Sequence, residues 1–497
     1  MKLNTTPRLL ELVLRSLEEI IKPELQTPAA RETLSHIIIT IIDLLKRVGP
    51  TKRLLYDCVR QGEELYKEIL SELDEKNPAE VREVGAESFD ALAAHHEELT
   101  ERLTKACEKL CMVHPTSPES LALQEQAAHW ELSYYRALPS ELPNNLPSNS
   151  NSNAKSDVLS KEAFEHFMIA ERGPIKVTRF EVLPGGFGKE TYMATILHPG
   201  GRIEELVIRK DSRHPIQQHR TFQLELEFHL VSAVHKAGFP SQKPLELALN
   251  FPGVEQTFYT MPRSAGKAPG TWLDGHKEKI SENILLEMAE LLAKLHSIPL
   301  QHFTEFLEKY DTLDTMTETV EDRYRRNLQG WKEYVREVEH PPSPVLVWMF
   351  SWLDQNIPGD KRKPVLTHGD YAVHNMLATE DDKIVTVLDW DCADFGAPEQ
   401  DIAYVRPHIE PHMNFDKFLT HYRACGGREL DEDHMAFYGV WSTLRLVMGG
   451  LRGALNLQEG LTHDLRYIQV EQGFHSGLMG LALAHASKMR TVDAVQR

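Results

Sequence analysis

Residues 139–157 constrain the fold of this chain most, because they cannot contribute to a hydrophobic core. Their sequence is PSELPNNLPSNSNSNAKSD, which is mainly proline, asparagine and serine. A segment of this composition buries too little apolar surface to offset the conformational entropy that ordering it would cost. We therefore predict a flexible linker at 139–157, between a domain over residues 1–138 and a domain over residues 158–497.

The segment that precedes the linker has the apolar periodicity of amphipathic helices. One stripe at helical spacing consists of Leu34, Ile38, Ile41 and Leu45. Several stretches of this kind predict an all-α helical bundle over residues 1–138. Within it, His95 and His96 stand next to Glu97 and Glu98, which favours a solvated helix face.

The pattern changes after the linker, where short β-rich runs replace the helical stripes. These runs lie at 177–182, 191–197, 205–209 and 256–261. After residue 280 the pattern is mainly helical again, apart from short strands within 365–390. A small β-rich lobe over 158–262 followed by a helical lobe over 263–497 predicts a bilobal protein-kinase-like fold of the α+β class.

The charge of the chain excludes some partners. Its formal net charge is −19, from 74 acidic and 55 basic residues. A field of that sign repels the phosphate backbone of nucleic acids and anionic membrane surfaces. We therefore expect neither a nucleic acid nor a membrane as partner.

The predicted location is the cytoplasm. Arg8, Glu11 and Arg15 interrupt the apolar residues of the N-terminus, so it lacks the pattern of a signal peptide. The most apolar run, 36–45, is shorter than the about 20 residues that cross a bilayer. Five scattered cysteines without a paired framework fit a reducing compartment.

The segment 365–405 carries the residue types that phosphoryl transfer requires. The tripeptide HGD ends at Asp370, Asn375 follows five positions later, and a second apolar run leads into Asp389. Such a reaction needs a carboxylate that orients and deprotonates the attacking hydroxyl. It also needs amide and carboxylate oxygens for the metal that bridges the phosphates.

This segment resembles the HGDxxxxN motif, with its following strand that ends in Asp, of aminoglycoside phosphotransferase and choline kinase-like enzymes. The resemblance implies ATP and Mg²⁺ as cofactors and a small molecule with a hydroxyl group as substrate. It implies that Asp370 is the catalytic base and that His368 supports the loop. It also implies that Asn375 and Asp389 bind magnesium and that Asp401 braces the catalytic loop.

A glycine-rich loop between two predicted strands is a candidate phosphate site. Gly185, Gly186 and Gly188 let backbone N–H groups approach a phosphate, and Lys189 adds a positive charge. The same residues also fit a simple hairpin turn. The loop is similar to that of the phosphotransferase family, which implies that it binds the nucleotide.

The strand LVIRK and the residues after it complete the predicted nucleotide site. In the family branch that this strand resembles, the cation for the α- and β-phosphates is often Arg, so Arg209 is the candidate and Lys210 the alternative. Glu227, rather than Glu225, matches the partner carboxylate on the following helix. Met261 lies in TFYTMP, which looks like the hinge strand that meets adenine.

The substrate is narrowed by likeness to one branch of the family. The sequences GGFGKETY and VIRK look most like the branch fused to acyl-CoA dehydrogenases and like the levulinic-pathway kinase of 4-hydroxyacyl-CoAs. This implies a 4-hydroxyacyl-CoA kinase. That bacterial kinase works with a small helical partner, and residues 1–138 have the size and helicity of such a partner, fused through the linker, or of a module for homo-oligomer formation.

Other hypotheses remain open. Coenzyme A would require cations, and the densest basic clusters, 323–326 and 361–363, also fit ordinary solvated faces. A kinase for cationic aminoglycosides would need an acidic pocket, for which 431–433 is the candidate. A pseudokinase or scaffold, with the bundle as its interaction module, is the third hypothesis, although such proteins usually lose the base or a metal ligand.

Overall fold

The computed structural model divides the chain into two compact units. The first comprises Met1–Ala154, Asn327–Ile357 and Thr443–Arg497, and the second comprises Lys155–Arg326 and Pro358–Ser442. The residues that the structure describes are 51–74, 84, 88–137, 159–183, 188–216, 219, 222–270, 279–311, 313–338, 342–462, 467 and 476–495. The predicted helical stripe at 34–45 and the linker at 139–157 lie outside these residues, so both stay predictions.

The helices and strands of the described residues are numbered here in chain order. The helices are α1 Thr51–Glu72, α2 Phe89–Val113, α3 Pro118–Ala137, α4 Lys161–Arg172, α5 Leu224–Lys236, α6 Glu282–His296, α7 Thr304–Tyr310, α8 Val320–Glu337, α9 Pro344–Gln355, α10 Pro398–Ile409, α11 Phe415–Ala424, α12 Met435–Gln458 and α13 Ser476–Val495. The strands are β1 Lys176–Leu183, β2 Lys189–Leu197, β3 Ile203–Asp211, β4 Leu247–Ala248, β5 Phe258–Pro262, β6 Val365–Thr367, β7 Met376–Ala378, β8 Ile384–Val387 and β9 Asp394–Gly396. Among these helices, none is both long and apolar enough to cross a membrane.

The first unit includes a helix that the sequence assigned to the helical lobe of the kinase-like domain. Helix α9 packs against α3, and the buried carboxylate of Glu131 accepts hydrogen bonds from the Ser343 hydroxyl and the Val345 N–H, both over 2.9 Å. Segments 327–357 and 443–497 are therefore grouped with the N-terminal helices. Apolar and buried polar contacts, which the local pattern does not reveal, account for this grouping.

The two adjacent histidines of α2 are buried, so the predicted solvated face is wrong. His95 is 6% exposed and His96 is 1% exposed. The ring of His95 donates to Glu63 on α1 over 2.8 Å, and Arg102 binds the same carboxylate over 2.7 Å. His96 stacks on Trp130, with ring centroids 5.0 Å apart. Groups on neighbouring helices, rather than water, cover this face, and among the described residues His95 is hydrogen-bonded there whereas the ring nitrogens of His96 are not.

The second unit begins with an antiparallel sheet in the strand order β1-β2-β3-β5-β4. Alternation along β3 places Leu206 and Ile208 in a buried cluster with Phe164 of α4. Val207 lies on the opposite face, in a second cluster with Leu224 of α5. Arg209 shares the face of Val207 because it lies two residues further along the strand. The alternation therefore directs the predicted phosphate cation toward α5.

The larger part of the second unit is helical and carries two small sheets. Strand β6 pairs with β9, and β7 pairs with β8, each pair antiparallel. A single apolar cluster connects α5 and α6 to the loops around β6–β9 and to α10 and α11. The predicted order, a β-rich lobe followed by a helical lobe in an α+β kinase-like fold, is confirmed.

Gly62 tests the packing of the first unit, since a Cβ at this position would lie 2.5 Å from the ring of Trp130. We expect Gly62→Ala to destabilise the protein by about 1–3 kcal/mol, because a buried ring on a neighbouring helix would have to shift. Gly330→Ala is the matched control, since a Cβ in that helix meets nothing within 4 Å. Thermal unfolding should show a lower Tm for the first variant only. Equal Tm values for the two variants would contradict the packing described.

Candidate active site

The turn after β6 is held by one buried carboxylate. Gly369 adopts φ 76°, a left-handed conformation that favours glycine. Asp401, at the start of α10, accepts the N–H of His368 over 2.8 Å and the N–H of Gly369 over 2.7 Å. His296 also bonds this carboxylate, over 3.1 Å. Burial acts to raise the pKa of Asp401, but the hydrogen bond and charge of His296 lower it below its usual value.

His368 connects the turn to the segment that carries the second acidic group. Its Nε2 donates to the carbonyl of Leu388 over 2.9 Å, while its Nδ1 accepts the N–H of Asp370 over 3.3 Å. These bonds select the tautomer with the proton on Nε2. Both ring nitrogens therefore bond the backbone on either side of the site, an arrangement that fits loop support.

Asp370 has a partner on each carboxylate oxygen. The Asn375 amide donates to Oδ2 over 2.9 Å, and the Tyr404 hydroxyl donates to Oδ1 over 2.5 Å. Burial and the negative charge of Asp389 raise the pKa of Asp370 to about 7, although both hydrogen bonds act in the opposite direction. A carboxylate with such a pKa can accept a proton near neutral pH.

Asn375 and Asp389 are brought together by the β7–β8 hairpin. The Leu388 N–H donates to the Asn375 carbonyl over 2.8 Å, and Asp389 follows directly in a left-handed conformation with φ 65°. Asn375 uses its amide nitrogen on Asp370. Its amide oxygen therefore remains for a cation.

Arg209 joins the sheet to this hairpin. Its Nε lies 2.9 Å from a carboxylate oxygen of Glu227 on α5, and its Nη2 donates to Asp389 over 2.5 Å. Nη2 also lies 3.5 Å from Asp391. The Tyr259 hydroxyl donates to the same Glu227 oxygen, Oε1, over 3.0 Å. The predicted pairing of Arg209 with Glu227 is therefore present, whereas Glu225 accepts from Tyr310.

The acidic groups around Arg209 exceed its charge. Three carboxylates face one guanidinium, and burial together with the charge of Asp389 raises the pKa of Asp391 to about 7. Desolvation acts to raise the pKa of Asp389, but Arg209 lowers it below its usual value. Carboxylate and amide oxygens are the ligands that Mg²⁺ prefers. Asp389, Asp391 and Asn375 therefore fit a divalent cation in both chemistry and charge.

Other predicted nucleotide residues have different surroundings. Gly185 and Gly186 lie outside the described residues, and Gly188 directly precedes β2. The Lys189 ammonium donates to Asp211 over 2.5 Å and to the Phe222 carbonyl. A role for the glycine loop at a phosphate stays a prediction, and Lys189 would have to exchange these partners to contribute.

Two further residues of the sheet bear on the nucleotide prediction. Lys210 is 1% exposed and donates to Glu190 over 3.0 Å, on the face opposite to Arg209. This contact disfavours Lys210 as the alternative phosphate ligand. Met261 is buried in β5, next to Val207 of β3. Its backbone contact with adenine stays a prediction.

The cations of the two basic clusters are paired within the second unit. Arg325 and Lys361 are nevertheless 55% and 73% exposed, which fits the solvated faces that the sequence allowed, whereas Arg323 does not. Arg323 is buried and binds Asp311 over 2.5 Å and also Asp394, and Arg326 binds Glu318 over 2.7 Å. The remaining cations bond carboxylates or carbonyls as follows: Arg325 and Lys361 to Glu321, Arg362 to Asp360 and Glu399, and Lys363 to the Thr317 carbonyl. Their charges are compensated by the protein itself, which disfavours them as ligands of coenzyme A.

Sequence reasoning noted Asp391 beside Asp389 without giving it a role, and it missed Tyr404. Asp391 follows Asp389 by two residues, and this spacing was a usable signal for a second carboxylate. Tyr404 lies three residues after Asp401 on α10. Residues three apart share a helix face, so the position of Asp401 against the catalytic loop also places Tyr404 there.

Known proteins resemble this chain in sequence. A family model described as "Phosphotransferase enzyme family" (APH) matches residues 179–445. The chain is 27% identical over 212 residues to acyl-CoA dehydrogenase family member 11 of Gallus gallus, covering 42% of this chain and 25% of that protein. It is 27% identical over 236 residues to family member 10 of Mus musculus, covering 47% of this chain and 20% of that protein. The chain thus spans about a quarter or less of the length of these relatives.

Solved structures also resemble the chain. A macrolide 2′-phosphotransferase from Brachybacterium faecium has 17% identity and a TM-score of 0.40, covering 63% of this chain and 98% of that one. A spectinomycin phosphotransferase, in complex with ADP and spectinomycin, has 12% identity and a TM-score of 0.42, covering 65% of this chain and 98% of that one.

The brace at Asp401 can be tested by a substitution that keeps its shape. In Asp401→Asn, an amide donor replaces one of the two oxygens that accept backbone N–H groups, and the charge opposite His296 is lost. We expect a loss of about 1–3 kcal/mol in the free energy of unfolding. Urea denaturation measures it, with Asp416→Asn, an exposed position on α11, as control. Unchanged stability of Asp401→Asn would show that the turn does not depend on this carboxylate.

Proposed function

Because the chain belongs to the phosphotransferase enzyme family, known as APH, we propose that it transfers the γ-phosphoryl group of ATP to a hydroxyl of a small molecule. The observation that carries this proposal is the setting of Asp370. Its carboxylate is held by Asn375 and Tyr404, beside an acidic pair that Arg209 binds. A base, metal ligands and a phosphate cation are the parts that phosphoryl transfer requires.

Asp370 acts as the base in the proposed reaction. The acceptor hydroxyl oxygen bonds to the γ-phosphorus while its proton passes to the Asp370 carboxylate. The bond from the γ-phosphorus to the bridging oxygen breaks, and that oxygen leaves with ADP. The pKa of Asp370, which burial and Asp389 raise to about 7, suits this transfer at neutral pH.

The remaining residues bind and orient the nucleotide. Asn375, Asp389 and Asp391 would hold Mg²⁺, which when bound neutralises charge on the phosphates. Arg209 binds the α- and β-phosphates, and Glu227 fixes its guanidinium from α5. Arg209 is 13% exposed and Glu227 is 2% exposed, so the pair is positioned before the nucleotide arrives.

We further propose a 4-hydroxyacyl-CoA as the substrate. Support comes from the glycine-loop and VIRK likeness to the acyl-CoA-dehydrogenase-associated branch, and from relatives named as acyl-CoA dehydrogenase family members. The internal pairing of both basic clusters means that a CoA site would use other groups, such as backbone N–H donors. An aminoglycoside site gains no support from 431–433, because Asp431 bonds His434 and Glu432 bonds Arg423.

The N-terminal helices are proposed to act as a fused partner module or as a surface for homo-oligomer formation. Supporting this, they belong to a compact unit whose buried residues include Glu63 and Trp130. That unit also takes in segments 327–357 and 443–497. Deletion of residues 1–157 would therefore remove the packing partners of α9. Such a deletion is a poor route to an isolated kinase domain.

The base assignment predicts the effect of Asp370→Asn. The amide keeps the shape of the side chain but cannot accept the proton, so kcat should fall by about 10²–10⁴-fold. Binding of ADP should be retained, because this residue does not hold the nucleotide. An ADP-release assay with magnesium-ATP measures the effect. The acceptor panel should contain hydroxyacyl-CoAs, free hydroxy acids, choline, homoserine and kanamycin.

The control for that assay is Asp381→Asn, which changes an exposed carboxylate in the β7–β8 turn. Its turnover should equal that of the unaltered protein. Full turnover in Asp370→Asn would remove this residue as base. Activity on kanamycin alone would support the antibiotic-kinase hypothesis. No turnover with any acceptor, despite nucleotide binding, would favour the scaffold hypothesis.

The role of Arg209 predicts a different kinetic effect. In Arg209→Ala the phosphate cation is lost and Glu227 remains buried without its partner, so the KM for ATP should rise by about tenfold or more. Arg209→Lys should be intermediate, since an ammonium keeps the charge without the planar fork. Arg263→Ala, an exposed ion pair with Glu205, is the control. An unchanged KM for ATP in Arg209→Ala would refute the assignment.

A further inference from the structure

Tyr404 contacts the proposed base directly. It lies on α10, three residues after Asp401, and Asp401 is buried and bonded to the catalytic loop. This anchor presents the Tyr404 hydroxyl to the loop, where it donates to Oδ1 of Asp370 over 2.5 Å. Tyr404 lies outside the HGDxxxxN motif and also outside the strand and Asp389 that follow this motif.

The two oxygens of Asp370 accept from partners that differ in exposure, since Asn375 is buried and Tyr404 is partly exposed. Oδ2 accepts from Asn375, whose amide also donates to the Asp370 carbonyl over 2.9 Å. Oδ1 accepts from Tyr404, whose side chain is partly exposed. An acceptor hydroxyl must bond one of these oxygens before it loses its proton. The bond to Oδ1 is the one that can be exchanged while Asn375 keeps the loop in place.

We infer that Tyr404 occupies the position of the acceptor hydroxyl in the free enzyme, and that the acceptor replaces it on Asp370. A phenol and an alcohol are both O–H donors to a carboxylate, so the exchange conserves a hydrogen bond. While Tyr404 is in place, water cannot use Asp370 as a base, and ATP hydrolysis is suppressed until an acceptor binds. This inference rests on the proposed function, since it takes Asp370 as the base.

The surroundings of Tyr404 indicate which part of an acceptor lies next to its hydroxyl. The ring centroid of His408, one turn later on α10, is 5.7 Å from that of Tyr404, and His374 of the catalytic loop is 5.9 Å from His408. These partly exposed rings form an aromatic surface beside Asp370. Flat rings offer contact area to an apolar segment, such as the carbon chain of a hydroxyacyl group.

The test measures phosphate release from magnesium-ATP without any acceptor. In that side reaction a water oxygen bonds to the γ-phosphorus, the bond to the ADP oxygen breaks, and a water proton passes to Asp370. Tyr404→Phe keeps the ring and removes the donor. Because a hydrogen bond to a charged group is worth roughly tenfold to a hundredfold in an equilibrium, we expect phosphate release to rise by about that factor. Tyr404→Met, which also lacks the donor, should behave alike.

The increase in phosphate release should depend only on the Asp370 carboxylate and on the Tyr404 hydroxyl. It should vanish in the double variant Tyr404→Phe with Asp370→Asn. Tyr310→Phe is the matched control, since its hydroxyl donates to the carboxylate of Glu225 over 2.8 Å outside the site, and its rate should equal that of the unaltered protein. An unchanged rate in folded Tyr404→Phe and Tyr404→Met would overturn the inference. Acceptor phosphorylation by the unaltered protein tests the proposed function separately.

Discussion

The architecture of the site depends on the ion pairs of Arg209. This guanidinium receives Glu227 from α5 and Asp389 from the end of β8, so it connects the sheet and the helical part of the second unit through one side chain. Asp391 is the third carboxylate near it. Acidic groups at such distances repel one another, and burial would protonate them without a cation between them. The same surplus of negative charge is what a divalent cation would offset.

A second set of contacts fixes the base relative to this acidic pair. Asp401 accepts two successive backbone N–H groups, and His368 extends the brace to Leu388, one residue before Asp389. The base and the acidic pair thus stand on one hydrogen-bonded frame. Such a frame holds reacting groups in place before substrate binds, which is how positioning lowers a barrier. On the same frame, the Tyr404 hydroxyl bonds the Asp370 carboxylate while no acceptor is bound.

The sequence predicted the parts of this site that follow from local spacing. Asp370, Asn375 and Asp389 are close in the chain, and the resemblance to the phosphotransferase family implied the pairing of Arg209 with Glu227. Contacts between residues that are distant in sequence could not be predicted from local patterns. Arg323, in a cluster whose sequence fitted either a ligand site or a solvated face, is bonded to a carboxylate 71 residues away. His95 looked solvated because its partner Glu63 lies on another helix, 32 residues earlier.

Identification of the phosphorylated product tests the central claim most directly. The protein should be incubated with magnesium-ATP and 4-hydroxyvaleryl-CoA, and the acyl-CoA then analysed by mass spectrometry with fragmentation. The account predicts one added phosphoryl group on the 4-hydroxyl, formed by the unaltered protein and missing with Asp370→Asn. A protein that binds magnesium-ATP yet leaves this and every other hydroxyl acceptor of the panel unmodified would contradict it.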